Sequence, residues 1–208
     1  HGEFQQRNAA NAIVAVAALD QGAAAFDLAA LNPPPGRFEL IEEPDLDVIL
    51  DGAHNPHAAA ALAGELRSRG IDPVVIVAAS ADKDIAGIVA ALAPVARGVI
   101  ATRYQQDRAL APEALADVFR AAFAGMTTSN ADPMGWGVPV EAVADLAAAL
   151  ARGRDPAGPF HRDPSGSVIH PRPEVVITGS LFLVGEARTL LVGAPTDPYV
   201  VTDPPARV

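Results

Sequence analysis

The chain has no cysteine. That excludes disulfides and thiolate metal sites, so a core has to be built from packing alone. It fits a reducing cytoplasm, which is the expected location. Aromatic residues make up 5% of the chain, with one Trp and two Tyr. Cations are also scarce: 15 Lys and Arg stand against 25 Asp and Glu, a formal charge of -10 and a pI near 4.8. Such a surface repels a polyphosphate backbone, so neither DNA nor RNA is expected as a partner. No apolar run approaches the roughly 20 residues needed to span a bilayer, so no membrane is expected either. The opening HGEFQQRNAA lacks the basic-then-apolar order of a signal peptide and lacks an initiator Met. The expectation is a piece of a longer polypeptide.

Half of the 208 residues are apolar, many of them Ala, enough for a full hydrophobic core. Residues 8–19 are Ala-, Val- and Ile-rich and read as a buried helix, ending in the break Leu31-Asn32-Pro33-Pro34-Pro35-Gly36. Residues 32–36 are the best linker in the chain. Beyond it, strand and helix signals alternate. Strands are expected at 38–42, 47–50, 74–79, 98–102 and 174–178. Helices are expected at 56–69, 85–93, 112–124, 138–151 and 181–191. This rhythm predicts an α/β fold, a Rossmann-like mostly parallel sheet with helices on both faces. Segments 125–137 and 153–173 carry no clear periodicity, and the second reads as a long loop. The Pro-rich tail from 195 reads as loose.

In such a sheet, ligands sit at the carboxyl ends of the strands. The residues there are Asp51-Gly52-Ala53-His54-Asn55-Pro56, then Ser80-Ala81-Asp82-Lys83-Asp84, then Arg103 and Tyr104, then Gly179 and Ser180. Each has a plain structural reading: Asp51 as a turn residue or helix cap, the Asp82-Lys83-Asp84 run as a solvated cap, Ser180 as an N-cap, Arg37 as a surface Arg. His54 and His57 are three apart, but no third metal ligand is evident. Taken together, the four loops place carboxylates, an imidazole, an ammonium, a guanidinium and a hydroxyl on one edge. A phospho-receiver arrangement is set aside, because Lys83 follows an early strand, whereas the late strand 174–178 is followed by Gly179 and Ser180.

The wording of these loops resembles a known family. Gly2-Glu3-Phe4-Gln5-Gln6-Arg7-Asn8-Ala9 is similar to the G-x-H-Q-x-x-N-A segment of folylpolyglutamate synthases, with Phe4 where His is usual. Pro35-Gly36-Arg37-Phe38-Glu39 resembles the P-G-R-x-E hinge of the wider Mur ligase group. Asp51 to Pro56 matches D-G-A-H-N-P, Asp82-Lys83-Asp84 matches D-K-D, and Thr178-Gly179-Ser180-Leu181-Phe182-Leu183-Val184-Gly185-Glu186 resembles T-G-S-L-Y-x-V-G-E. The chain is thus identified as similar to the C-terminal part of a folylpolyglutamate or dihydrofolate synthase.

That resemblance implies an ATP-dependent ligase that adds L-glutamate to a folate or dihydropteroate carboxylate through an acyl phosphate. It implies that residues 1–31 close a central ATPase domain, that 32–36 link it to a glutamate-ligase domain at 37–194, and that 195–208 form a tail. The phosphate loop and the Mg²⁺ ligands of the family lie in an N-terminal domain, and no G-x-x-x-x-G-K-[ST] occurs here. The stretch given is therefore expected to be inactive alone and to need that domain as its partner. The implied contacts are Asn8 to adenine, Arg37 to the ATP phosphates and Asp51 to the ribose. His54 would border nucleotide and glutamate, Ser180 would hold glutamate, and Lys83 would lie near the reacting groups. Two other readings are a sister Mur-type amino-acid ligase and a non-catalytic nucleotide-binding module.

Overall fold

A computed structural model describes residues 34–126, 137–155, 157–161 and 174–193. The expectations for Asn8, the first helix, residues 32–33 and the tail fall outside these residues.

Six strands form one sheet: β1 (Glu39–Glu43), β2 (Leu46–Leu50), β3 (Val74–Val77), β4 (Gly98–Ala101), β5 (Val140–Ala142) and β6 (Glu174–Thr178). Their order is β1-β2-β6-β3-β4-β5. All neighbours run parallel except β1, which pairs with β2 as an antiparallel hairpin. The mostly parallel α/β sheet expected from the strand–helix rhythm is the observed architecture. Buried β-branched runs make it so. Every residue of β3 (VVIV) and of β4 (GVIA) is buried, as strands covered on both faces require.

Alternation along the strands separates two cores. On one face Ile49, Val75, Val77, Val99 and Val176 pack against α1 (Pro56–Arg69), α2 (Ile85–Leu92) and α3 (Pro112–Ala124). On the other, Val48, Val74, Ile76, Ile100 and Ile177 pack against α4 (Leu146–Arg154) and α5 (Leu181–Val192). Helix ends follow local chemistry. Asn55 accepts from the Ala58 N–H and Pro56 occupies the first turn of α1. Gly70 closes it in the left-handed region at φ 68, where a side chain would be strained.

One sequence expectation is corrected. Residues 138–151 do not form a single helix. Val140–Ala142 is an edge strand beside β4, and Asp145 then caps α4 by accepting from Ala148 N–H. Three valines within 138–143 favour extended backbone. The strand is tied down by Arg152, whose Nε and Nη2 reach the two Glu141 carboxylate oxygens at 2.7 and 2.8 Å. The helix expected over 85–93 stops at Leu92, and Ala93–Val95 continues as a 3₁₀ turn containing Pro94.

Candidate functional site

The loops after β2, β3, β4 and β6 all emerge at the carboxyl edge of the sheet, as required for a site built from strand ends. Asp51 is the organising residue. Its Oδ2 accepts the Phe38 N–H and its Oδ1 accepts the Ala53 N–H, both at 2.9 Å. The entry segment is thereby fastened to the loop after β2. Two further bonds reinforce the join: Gly52 N–H to Gly36 O at 2.8 Å, and Gly36 N–H to Glu39 Oε2 at 2.7 Å. Phe38 sits at φ 49, left-handed for a bulky residue, so the Asp51 bond holds a conformation that costs energy.

This fastening sets Arg37 over Gly52, where a Cβ would stand 3.5 Å from Arg37 Nη1 and clash with Leu181. Arg37 is half-buried, and among the described residues its guanidinium hydrogen-bonds nothing. Burial pushes the Asp51 carboxyl above the ordinary aspartate range, against the pull of the Phe38 and Ala53 N–H groups and of the Arg37 charge. Asp51 is not the cap of α1, because Asn55 fills that position.

His54 points its Nδ1 at Gly52 O, 2.8 Å away. A carbonyl only accepts, so Nδ1 carries a proton, and in the neutral ring Nε2 is the acceptor. Gly179 donates to Ala53 O at 2.9 Å and joins the β6 loop to the same turn. At φ 94, with Ala78 O where its Cβ would be, Gly179 admits no side chain. Ser180, next along, is buried and accepts the Phe182 N–H at 3.2 Å, which makes it the N-cap of α5. Arg37, Asp51, His54 and Ser180 are thus tied into one unit through Gly52, Ala53 and Gly179.

Lys83 belongs to a second group on the same edge. Its Nζ is 3.5 Å from Asp82 Oδ2, and its backbone N–H donates to Ser80 O. Asp84 caps α2 through Gly87 N–H at 2.9 Å. Buried Ser80 shares a 2.6 Å hydrogen bond with the hydroxyl of fully buried Tyr104. Arg108 was not singled out by sequence reasoning. Its Nε donates to Ser80 Oγ at 3.3 Å and its guanidinium lies 5.3 Å from the Phe182 ring centre. The signal was available, since Arg108 stands in the loop between β4 and α3 that also opens at this edge.

Among the described residues no three His, Asp or Glu side chains converge as a metal site. A cleft of about 570 Å³ lies at the opposite edge, by the β1–β2 turn and the last turns of α4 and α5, with Glu43, Asp45 and Arg154 in its walls. It shares nothing with the loops above.

Comparison with known proteins places this arrangement. The family model "Mur ligase, glutamate ligase domain" matches residues 36–159. The chain is 36% identical over 203 residues to the dihydrofolate synthase/folylpolyglutamate synthase of Mycobacterium tuberculosis, covering 91% of this chain and 39% of that protein. It is 35% identical to a probable bifunctional folylpolyglutamate synthase/dihydropteroate synthase of Haloferax volcanii, covering 90% of this chain and 20% of that protein. The solved structure of Mycobacterium tuberculosis folylpolyglutamate synthase complexed with ADP superposes with a TM-score of 0.71 at 33% identity, over 94% of this chain and 41% of that one. The chain thus spans between 20% and 41% of the length of these relatives. With its loops, sheet order and family match in agreement, the chain belongs to the Mur ligase family as a glutamate ligase domain, similar to the C-terminal part of folylpolyglutamate synthases.

Proposed function

We propose that this chain is the glutamate-ligase part of an ATP-dependent folate ligase, which joins L-glutamate to a folate or dihydropteroate carboxylate. The observation that carries the reading is the Asp51 fastening, which gathers Arg37, Asp51, His54 and Ser180 at one sheet edge. A carboxylate is a poor electrophile. In the proposed reaction a carboxylate oxygen of the acceptor attacks the γ-phosphorus of ATP, and ADP leaves. The glutamate amine then attacks the acyl carbon, and phosphate departs with the former carboxylate oxygen. The protein's share is positioning and charge neutralisation.

Each residue has a role that its geometry supports. Arg37 makes no guanidinium hydrogen bond among the described residues, and its planar fork suits ATP phosphates. Each Asp51 oxygen keeps a lone pair beyond its backbone bond, so it can still accept from ribose hydroxyls. His54 Nε2 is free to take the proton shed by the attacking amine. Lys83 supplies positive charge near the acyl phosphate, and Ser180 helps hold glutamate. Asn8 would contact adenine. Residues 1–31 would close the ATPase domain, 32–36 would hinge it to 37–194, and the partner would be an N-terminal domain of the same polypeptide that brings the phosphate loop and the Mg²⁺ ligands. The working location is the cytoplasm.

The test uses an acceptor with heavy oxygen in its carboxylate. The complete ligase should pass one labelled oxygen to inorganic phosphate, with glutamate, ATP and Mg²⁺ all required. The 208-residue chain alone should release no phosphate above background. Unlabelled phosphate, or turnover by the chain alone, would overturn the corresponding part of the reading.

A further inference from the structure

We infer that Arg108 grips a free carboxylate of the incoming amino acid, and that this contact discriminates against amino acids in which that group is an amide. The inference rests on the glutamate-ligase reading above and adds a specificity residue to it.

The backbone around Arg108 is fixed. After β4 the chain folds back across the end of β3, with Ala81 N–H donating to Arg108 O at 3.1 Å and Leu110 N–H to Ala79 O at 2.8 Å. Ser80 and Ala109 form an antiparallel bridge there. The side chain is fixed as well. Nε donates to Ser80 Oγ, which is oriented in turn by the buried Tyr104 hydroxyl. The guanidinium faces the Phe182 ring, and Phe182 stacks on Tyr104 with 5.5 Å between centres and 28° between planes. Holding a long exposed side chain this way costs rotamer entropy, which a purely solvated Arg would not incur.

What this anchoring leaves over is chemically specific. Nη1 and Nη2 carry four N–H donors, and among the described residues none has an acceptor. Their planar fork matches the two oxygens of a carboxylate. Asp82 feels the charges of both Lys83 and Arg108 but, among the described residues, makes its close contact with Lys83 and no hydrogen bond to Arg108. The position fits the reaction. Ser80 opens the loop that carries Lys83, and Phe182 is two residues beyond Ser180, so the fork lies on the same sheet edge as the two groups assigned to the reacting atoms and to glutamate. Phe182 is 42% exposed beside the fork, apolar surface that the methylene chain of a bound amino acid would cover.

The test is kinetic, in the complete ligase with ATP, Mg²⁺ and a folate acceptor. Arg108→Gln should raise KM for L-glutamate by about tenfold or more, the loss of a bidentate charge-assisted pair. KM for ATP and kcat at saturating glutamate should stay within about twofold, and Arg108→Lys should fall between. L-Glutamine and L-isoglutamine, which lack the side-chain and the α-carboxylate respectively, identify the carboxylate held: discrimination against one of them should collapse in Arg108→Gln. An active Arg108→Gln enzyme with unchanged glutamate KM overturns this assignment alone. So does an equal rise in both KM values, which would mean that Arg108 only props the loop. A wild-type enzyme that turns over no glutamate overturns the parent reading, and this inference with it.

Discussion

Asp51 Oδ2 lies 2.9 Å from the Phe38 nitrogen, thirteen residues earlier in the chain, and so one carboxylate carries both a fold contact and a proposed ligand contact. Asp51→Ala strands the N–H groups of Phe38 and Ala53 and should cost about 1–3 kcal/mol. Asp51→Asn keeps the shape and one acceptor, so its stability cost should be smaller. In the complete enzyme the same Asn variant should lose most of the wild-type preference for ATP over 2′-deoxy-ATP, read by titration. If the variant discriminates as the wild type does, Asp51 is a loop clamp and nothing more.

The same carboxyl predicts a pH dependence. Burial, opposed by Phe38 and Ala53 N–H and by Arg37, raises its folded pKa above the unfolded value of 3.8. A raised carboxyl pKa contributes stability that is fully present below the unfolded value and is lost as pH climbs through the folded one. The stability difference between wild type and Asp51→Asn, measured by urea unfolding, should therefore be largest at the acid end and shrink toward neutrality. A difference that grows with pH would contradict the burial argument.

His161 has the opposite sign. It is buried, and its imidazole is 2.6 Å from Gly153 O. Burial lowers its pKa, the Gly153 carbonyl raises it, the Arg97 charge lowers it and Asp155 raises it; the net result is below 6.5. The fold therefore holds neutral His161, with that stability complete above 6.5 and lost as pH falls through the folded value. Between about pH 7.5 and about pH 5, wild type should lose more stability than His161→Gln, which can still donate to Gly153 O. Parallel curves for the two proteins would show that His161 does not contribute.

The two glycines of the site should respond differently to one methyl group. Gly179 is at φ 94 with a backbone oxygen in the way, so Gly179→Ala should cost about 3 kcal/mol or more, or prevent folding. Gly52 has an ordinary φ, and its obstacle is the flexible end of Leu181. Gly52→Ala should cost about 1–2 kcal/mol, and pairing it with Leu181→Ala should recover part of that. Thermal unfolding of the four proteins would show whether the clash is with side chain or backbone.

Strand runs such as Val74–Val77 and the helix start at Pro56 were legible because local chemistry decides them. So was the edge at which the loops gather, since a parallel sheet has only one carboxyl end. The edge strand Val140–Ala142 was not, because its pairing with β4 is set by a partner some forty residues earlier. Periodicity alone also reads an Ala-rich segment as helix. Nor could sequence show that Asp51 spends one lone pair of each oxygen on backbone, or that Ser80, Tyr104, Arg108 and Phe182 join into one unit from two separate loops and the first turn of α5. Those are tertiary facts without a local signature.

Arg37 gives the cleanest separation of function from stability. It is half-buried, and among the described residues its guanidinium makes no hydrogen bond; its one resolved influence is on the charge of Asp51. Removing such a side chain should move stability by only about 0.5 kcal/mol. Yet its Nη1 stands 3.5 Å from the space over Gly52, at the centre of the proposed nucleotide site. A guanidinium that neutralises phosphate in the transition state contributes on the order of 2–4 kcal/mol to catalysis. Arg37→Ala in the complete ligase should thus lower kcat/KM by about thirtyfold to about a thousandfold while the melting curve stays within about 2 °C. Arg37→Lys keeps the charge and loses the fork, so it should restore only part of the rate. Normal kinetics beside a normal melting curve would remove Arg37 from the phosphate role. A large fall in melting temperature would instead make it a structural partner of Asp51.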